Sequence, residues 1–403
     1  RVGKTPTLLN EFMLFRRDYG YKKALVLCPN QYKYTWVLEA ERFGVDVPSI
    51  AFESSNRDYI KSFIKKNSDM MLFVNYEALL YPENMAIFRE FLDKETYMGA
   101  DESVMIKGHD SLFTLAALEL GPQAGVCRPM TGKPTPQGPQ DLYSQLRFAR
   151  KLNGVNFYAF RGKFTVLKSS FKRHKKVVDV KNEHILHDML ANDTFFARRA
   201  DWGTKIDTDY ETVELKMHPA QAKAYTEMEE DFMVFLASGE VVSVEQAMAK
   251  HAKLQQISSG FILDAFGEPH EIVPFTKTPK YLDLVDRLTN QISGKLVIAC
   301  LHTESVKQLR EHLSKFNPAV IAGKQHMNKW KIDTDSEKAR FNGDRACRVL
   351  IAQEKAVKYG HTLMGTKDDP CIDMAFFENR YSLDDRAQTE ERPQGEGQTA
   401  ALH

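Results

Sequence analysis

Arg1-Val2-Gly3-Lys4-Thr5 opens the chain. Leu8, Leu9, Phe12, Met13 and Phe15 follow at helical spacing, and then comes the apolar run Ala24-Leu25-Val26-Leu27-Cys28. Gly-Lys-Thr ahead of an apolar-periodic helix reads as the second half of a phosphate-cradling loop, G-x-x-x-x-G-K-[ST]. In that loop backbone amides hold phosphates, the lysine reaches the terminal ones and the hydroxyl ligates magnesium. The pattern's first glycine does not precede Gly3, so the chain reads as starting inside the loop. Standing alone, the tripeptide is equally an ordinary basic segment. An acidic magnesium partner and a second nucleotide-contacting lobe downstream would decide between the two.

The fold follows from the segments after it. Ala24–Cys28 ends at Pro29-Asn30, and Met70-Met71-Leu72-Phe73-Val74 repeats the pattern; unbroken apolar runs of this length are how strands buried on both faces look. Residues 31–43, around Trp36, lie between them with helical character. A second such set starts near Thr276. Lys280–Leu288 is amphipathic, Lys295–Cys300 is a buried strand and Glu304–Phe316 a helix, followed by short apolar runs at 319–322, 348–352 and 373–377. Strands alternating with helices give a doubly wound parallel sheet. The expectation is therefore an α/β chain of two doubly wound lobes, 1–206 and 276–403, joined by a mostly helical linking segment, 207–275, which holds the apolar-periodic stretch Met217–Leu236. The run Phe171–Lys181 is basic and suits an exposed element on the first lobe.

Bulk properties exclude more than they assign. At 403 residues, two domains are expected. Hydrophobic residues at 43% and charged residues at 27% are ordinary soluble-globular values, and no apolar run is long enough to span a membrane. The five cysteines show no C-x-x-C spacing and read as buried thiols in a reducing compartment. His184 and His187 read as exposed, so no metal site beyond magnesium is expected. A net charge of +1 leaves nucleic-acid binding to local patches.

The chemistry-bearing residues come in order. Asp101-Glu102-Ser103 follows the weak strand Tyr97-Met98-Gly99-Ala100; an aspartate at a strand end can hold Mg²⁺ and a neighbouring glutamate can orient or deprotonate water. Then come Thr131-Gly132-Lys133-Pro134 and Asp141-Leu142-Tyr143, with Cys28-Pro29, Trp36, Glu39 and Asn75-Tyr76-Glu77 upstream. Arg198-Arg199, Gln221, Tyr225, Gln255 to Phe261, Lys280, Gln353, Gly360, Leu363, Gln388, Arg392, Gly397 and Gln398 follow.

This ordered set, spanning essentially the whole chain, resembles the Swi/Snf-related branch of superfamily-two helicases, and its compact first lobe is most similar to bacteriophage members. The resemblance implies two RecA-like lobes with ATP in their cleft. Hydrolysis there would drive movement on double-stranded or branched DNA, by a monomer in the cytoplasm (the host's, if phage-encoded). It implies Gly3, Lys4 and Thr5 at the phosphates, Thr5 and Asp101 at Mg²⁺, Glu102 at the attacking water, and Arg392 at the terminal phosphate. Gln388 would make nucleotide contacts, and Thr131, Gly132 and Lys133 would couple ATP to DNA. Two departures stand out. Lys133 replaces the usual threonine of T-G-T-P, and Gly395 replaces the family's second ATP-facing arginine. The latter keeps open a degenerate, non-catalytic module that binds DNA or ATP as a scaffold. A P-loop kinase or small GTPase would not explain a second α/β lobe ending in Gln388 and Arg392. Trp36 reads as a packing residue more readily than a base stacker.

Overall fold

The computed structural model describes residues 3–169, 175–191, 194–197, 208–237, 244–357, 363–366, 368–379, 383–390 and 392–393. Arg198, Arg199, Gly360, Gly395, Gly397 and Gln398 lie outside the described residues, as do the first four residues of the basic run at 171–181. The chain divides into two compact units, 1–201 and 202–403.

The first unit runs α1 (Lys4–Tyr19), β1 (Lys23–Cys28), α2 (Lys33–Arg42), β2 (Ser49–Ala51), α3 (Arg57–Lys66), β3 (Met70–Asn75), α4 (Pro82–Phe91), β4 (Thr96–Asp101), α5 (Leu112–Leu120), β5 (Val126–Met130), α6 (Leu142–Phe148), α7 (Phe157–Phe164), β6 (Thr165–Ser169), β7 (Lys175–Val180) and α8 (Glu183–Ala191). Five strands form one parallel sheet in the order β2-β3-β1-β4-β5. Side chains alternate across it, as a period of two requires. Ala24, Val26, Met71, Phe73 and Tyr97 meet Leu8, Leu9 and Phe12 of α1 and Trp36 of α2 on one face. Leu25, Leu27, Leu72, Val74 and Met98 pack on the other with Ile60, Phe88 and Leu120 from α3, α4 and α5. Both faces are covered, which is why these strands read as unbroken apolar runs.

The strand expected to be weak is fully buried, and its glycine has a use. A Cβ on Gly99 would stand 2.6 Å from Leu8 Cδ1, so the bare backbone there lets α1 lie close on the sheet. β6 and β7 pair antiparallel as a separate ribbon. Its base is seated on a small cluster that includes Leu146, Phe160, Phe164 and Leu186.

The second unit runs α9 (Pro219–Ala237), α10 (Val244–Ser258), β8 (Phe261–Leu263), β9 (Pro269–Glu271), α11 (Pro279–Asn290), β10 (Lys295–Cys300), α12 (Thr303–His312), β11 (Ala319–Ile321), α13 (Lys324–Trp330), α14 (Thr334–Gly343), β12 (Val349–Gln353), α15 (Glu354–Val357), β13 (Cys371–Phe376) and α16 (Leu383–Glu390). Four strands form a parallel sheet, β11-β12-β10-β13. The same alternation puts Leu296, Ile298, Val349 and Ile351 against Leu284, Leu288 and Leu309, and Val297, Leu350 and Ala352 against Phe341 and Leu363. Lys295 is wholly buried yet satisfied: its Nζ donates to the Asp344 and Cys347 carbonyls at 2.7 and 2.8 Å and lies 3.3 Å from Asp369 Oδ2. The α/β class with two doubly wound parallel sheets is thus as expected. The five cysteines are buried free thiols, and no helix among the described residues is long and apolar enough to cross a membrane.

Candidate nucleotide site

Parallel α/β sheets bind ligands at the carboxyl ends of their strands, where loops and helix N-termini collect. In the first unit that edge carries Asp101 at the end of β4, Glu102 just after it, and Thr131-Gly132 just after β5, with Asp101 in register with Met130. The N-terminus of α1 joins them. Gly3 caps that helix at φ 81, ψ 30, a left-handed conformation natural to glycine. Lys4 and Thr5 open its first turn, where the helix dipole favours an anion. Thr7 closes the turn with its amide and hydroxyl both on the Gly3 carbonyl, at 3.0 and 2.8 Å.

Three predicted residues meet side chain to side chain. Lys4 Nζ donates to Glu102 Oε1 at 2.5 Å, and Thr131 Oγ1 donates to Glu102 Oε2 at 3.2 Å. Glu102 itself has φ 49 and ψ 52. For a residue with a Cβ this conformation costs on the order of 1–2 kcal/mol, and such strain gathers at functional sites. It turns the carboxylate back toward α1. Gly132 lies against the same lysine: a Cβ there would come 3.9 Å from Lys4 Nζ. The Lys133 amide donates to Thr131 Oγ1 at 3.4 Å.

Asp101 is held differently. Its carboxylate is buried, accepting Trp36 Nε1–H at 3.2 Å on one oxygen and the Glu102 amide at 3.0 Å on the other. Its backbone carbonyl accepts the Tyr76 hydroxyl at 2.7 Å. Burial pushes the Asp101 carboxyl up to about 6. The charge of Lys4 opposes the rise, the charge of Glu102 adds to it, and the two hydrogen bonds again favour the ionised form. An acid raised by burial beside a lysine and a hydroxyl-bearing helix turn suits a divalent cation, which would supply the missing positive charge. Thr5 and Asp101 therefore fit magnesium by donor chemistry.

Two side chains carry roles that sequence reasoning missed. Trp36 packs on Phe73 with centroids 5.7 Å apart, as a packing residue should, and also holds Asp101. Gln145, buried in α6, accepts Ser103 Oγ–H at 2.7 Å and donates to the Pro134 and Asp141 carbonyls, each at 2.8 Å. It ties the Asp-Glu-Ser turn to the Thr-Gly-Lys-Pro loop. The only sequence signal was a polar residue amid Leu142, Tyr143, Leu146 and Phe148, on a face otherwise apolar. Gln221 and Gln256 are structural: Gln221 Nε2 donates to the Ile257 and Ser258 carbonyls, and Gln256 Oε1 accepts the Leu263 amide.

Gln388 and Arg392 belong to the second unit. Gln388 is on α16. Arg392 is buried just beyond that helix; its amide donates to the Thr389 carbonyl at 2.9 Å and its carbonyl accepts the Leu363 amide at 3.0 Å.

The SNF2-related domain matches residues 2–263. The chain belongs to the SNF2-related family. No curated protein matches it. Among solved structures, this SNF2-related chain is similar to the Sulfolobus solfataricus SWI2/SNF2 ATPase core in complex with dsDNA. Identity is 18%, covering 99% of this chain and 80% of that one, with a TM-score of 0.44. The SWI2/SNF2 ATPase core domain of the same organism is similar at 17% identity over 100% and 78%, with a TM-score of 0.43. Likeness at that level adds nothing to the fold, which rests on the two parallel sheets themselves. The family match makes the chain a Swi/Snf-type helicase-fold protein and covers Lys4, Asp101, Glu102, Thr131 and Gln145.

Proposed function

We propose that this chain is a DNA-stimulated ATPase that translocates on double-stranded DNA. What supports this most is one observation: Lys4, Glu102 and Thr131 converge at the carboxyl edge of a parallel sheet, beside the buried Asp101. Family membership adds to it, since SNF2-related proteins are typically DNA-dependent ATPases. The partition we adopt is lobe one, 1–206, linking segment, 207–275, and lobe two, 276–403. The setting we assign is phage replication in the host cytoplasm.

The first lobe's residues divide the work. The α1 N-terminus and Lys4 receive the phosphates of ATP; Thr5 and Asp101 hold magnesium, which supplies charge to the phosphate oxygens when bound. Without nucleotide, Lys4 and Glu102 neutralise each other. A phosphate drawing Lys4 away frees the Glu102 carboxylate to orient or deprotonate the attacking water. Thr131 keeps its hydrogen bond to that carboxylate, so any shift of the 131–133 loop on DNA reaches Glu102 through one bond. Arg392 of the second lobe supplies a guanidinium to the terminal phosphate as charge develops there, and Gln388 a nucleotide contact.

The test is ATP hydrolysis by the protein and by Glu102→Gln, each with and without duplex DNA. Expected is a DNA-stimulated rate that the substitution lowers by about 10²-fold or more. A rate at background with DNA, unchanged in the variant, refutes the proposal. Gly395, where the family carries a second arginine, favours the second reading of a non-catalytic scaffold. Duplex and ATP binding with no turnover in either protein would establish that reading.

A further inference from the structure

The β6–β7 ribbon belongs to neither parallel sheet. Its base is fixed: Phe164 and Thr165 are buried, the Lys181 amide donates to the Phe164 carbonyl at 3.0 Å, and Asn182 Nδ2 donates to the Lys163 carbonyl at 2.7 Å. Beyond the base the arms are open, with Val166 and Val178 exposed at 39% and 52%. Lys163, Lys168 and Lys181 are exposed too.

A lone two-stranded ribbon is marginal in water, and beyond its buried base packing does not account for this one's lysines. Charge is what sets it apart. Residues 163–181 hold seven lysines and arginines against the single acid Asp179, a net +6 within a chain whose total is +1. The strand register adds to the tension by setting Lys168 directly across from Lys176. Like charges so opposed destabilise a strand pair. Asp179 is opposite Val166, and its carboxylate accepts the Val180 amide at 2.8 Å. Such a ribbon is relieved by a polyanion lying over both arms, because phosphates offset the summed positive charge of the two strands. Lysines are point charges suited to phosphate, with no fork to read base edges.

We propose that the β6–β7 ribbon is a second, sequence-independent contact to the duplex-DNA backbone, made through Lys163, Lys168, Lys175, Lys176 and Lys181 and separate from the 131–133 loop. The DNA identity of the polyanion rests on the function proposed above; the ribbon's role does not require ATP turnover.

The experiment is duplex binding without nucleotide, by fluorescence anisotropy across a KCl series, for the protein and for a Lys168→Gln, Lys175→Gln, Lys176→Gln variant. Glutamine also removes the cross-strand repulsion, so the ribbon does not melt, which an unchanged unfolding curve verifies. Each lost phosphate contact lowers the slope of log K against log[salt] by about 0.9, so the variant's slope falls by about 2–3 and its affinity at about 0.1 M salt by at least about tenfold. ATP hydrolysis without DNA stays unchanged, since none of the three is placed at the nucleotide site. A wild-type protein that binds duplex and a variant with the same slope overturn the ribbon's role alone. A wild-type protein that binds no duplex overturns the function proposed above and the ribbon's role with it. Unchanged duplex binding with loss of polyglutamate binding assigns the ribbon to an acidic protein segment and overturns the proposal as well.

Discussion

Replacing Asp101 by asparagine should stabilise the metal-free protein at neutral pH and destabilise it in acid. The carboxyl is raised by burial from 3.8 to about 6, and at 1.36 kcal/mol per unit its ionised form costs the fold about 3 kcal/mol. For an acid whose folded value lies above its unfolded one, that cost is absent below about pH 4. It grows through the window from about 4 to 6 and is complete above it. The substituted amide removes the charge but offers one oxygen where Trp36 Nε1–H and the Glu102 amide now use two; the donor left over costs about 1–2 kcal/mol. The Asp101→Asn variant should therefore be about 1–2 kcal/mol more stable than wild type near pH 8, and less stable by a similar amount near pH 3.5.

Trp36 is the one tryptophan within residues 1–201. Urea unfolding followed by its fluorescence, in a Trp202→Phe, Trp330→Phe background with a chelator present, reads this unit directly. Carboxylates remote from Asp101 titrate alike in both proteins and cancel. Magnesium added near pH 8 should stabilise only the protein that keeps Asp101, by about 2.7 kcal/mol at a hundredfold excess over its dissociation constant. A stability difference that stays constant from pH 3.5 to 8 refutes the reasoning, because it would mean that burial does not disfavour this carboxylate.

Further outcomes follow from other contacts. Thr131→Val removes the hydroxyl on Glu102 Oε2 and should lower kcat by about tenfold with the KM for ATP little changed, the size of one hydrogen bond near 1.4 kcal/mol. Gln145→Leu strands Ser103 Oγ and the Pro134 carbonyl; steady-state assays should show the ratio of DNA-stimulated to unstimulated hydrolysis falling several-fold. The same change should cost about 1–3 kcal/mol of stability by chemical denaturation. Lys295→Met leaves two carbonyls and Asp369 without their cation and should destabilise the second unit by about 3 kcal/mol, read by Trp330 fluorescence during urea unfolding.

Much of this was legible in the sequence because burial on both faces leaves a plain signature. Ala24–Cys28, Met70–Val74 and Lys295–Cys300 are strands for the reason they look like strands. Tyr97–Ala100 was harder. Gly99 counts against a strand by propensity, and only the approach of Leu8 from another element explains it. Ends of elements drifted for a similar cause: the helical stretch around Trp36 opens with a short 3₁₀ turn, Asn30–Tyr32, before α2 begins at Lys33. The linking segment also holds the β8–β9 hairpin amid its helices, a pair too short for periodicity to register. Within the site, Lys4, Asp101, Glu102 and Thr131 could be named because each belongs to a motif whose chemistry demands its residue type. Gln145 and the Trp36–Asp101 bond could not. Both depend on which backbone atoms two loops present to each other, and residue spacing holds no record of that.

The missing side chain at Gly99 has a practical meaning for anyone wishing to adjust this protein. Leu8 rests there, and one turn before it on the same helix is Lys4, in contact with Glu102. Position 99 is thus a shim seat beneath the helix that carries the phosphate lysine. A methyl inserted there would first displace the end of the Leu8 side chain, and an isopropyl group would press further on the face of that helix, while every reacting group keeps its identity. The packing beneath the phosphate lysine could be adjusted from underneath, at a buried strand position that carries no reacting group.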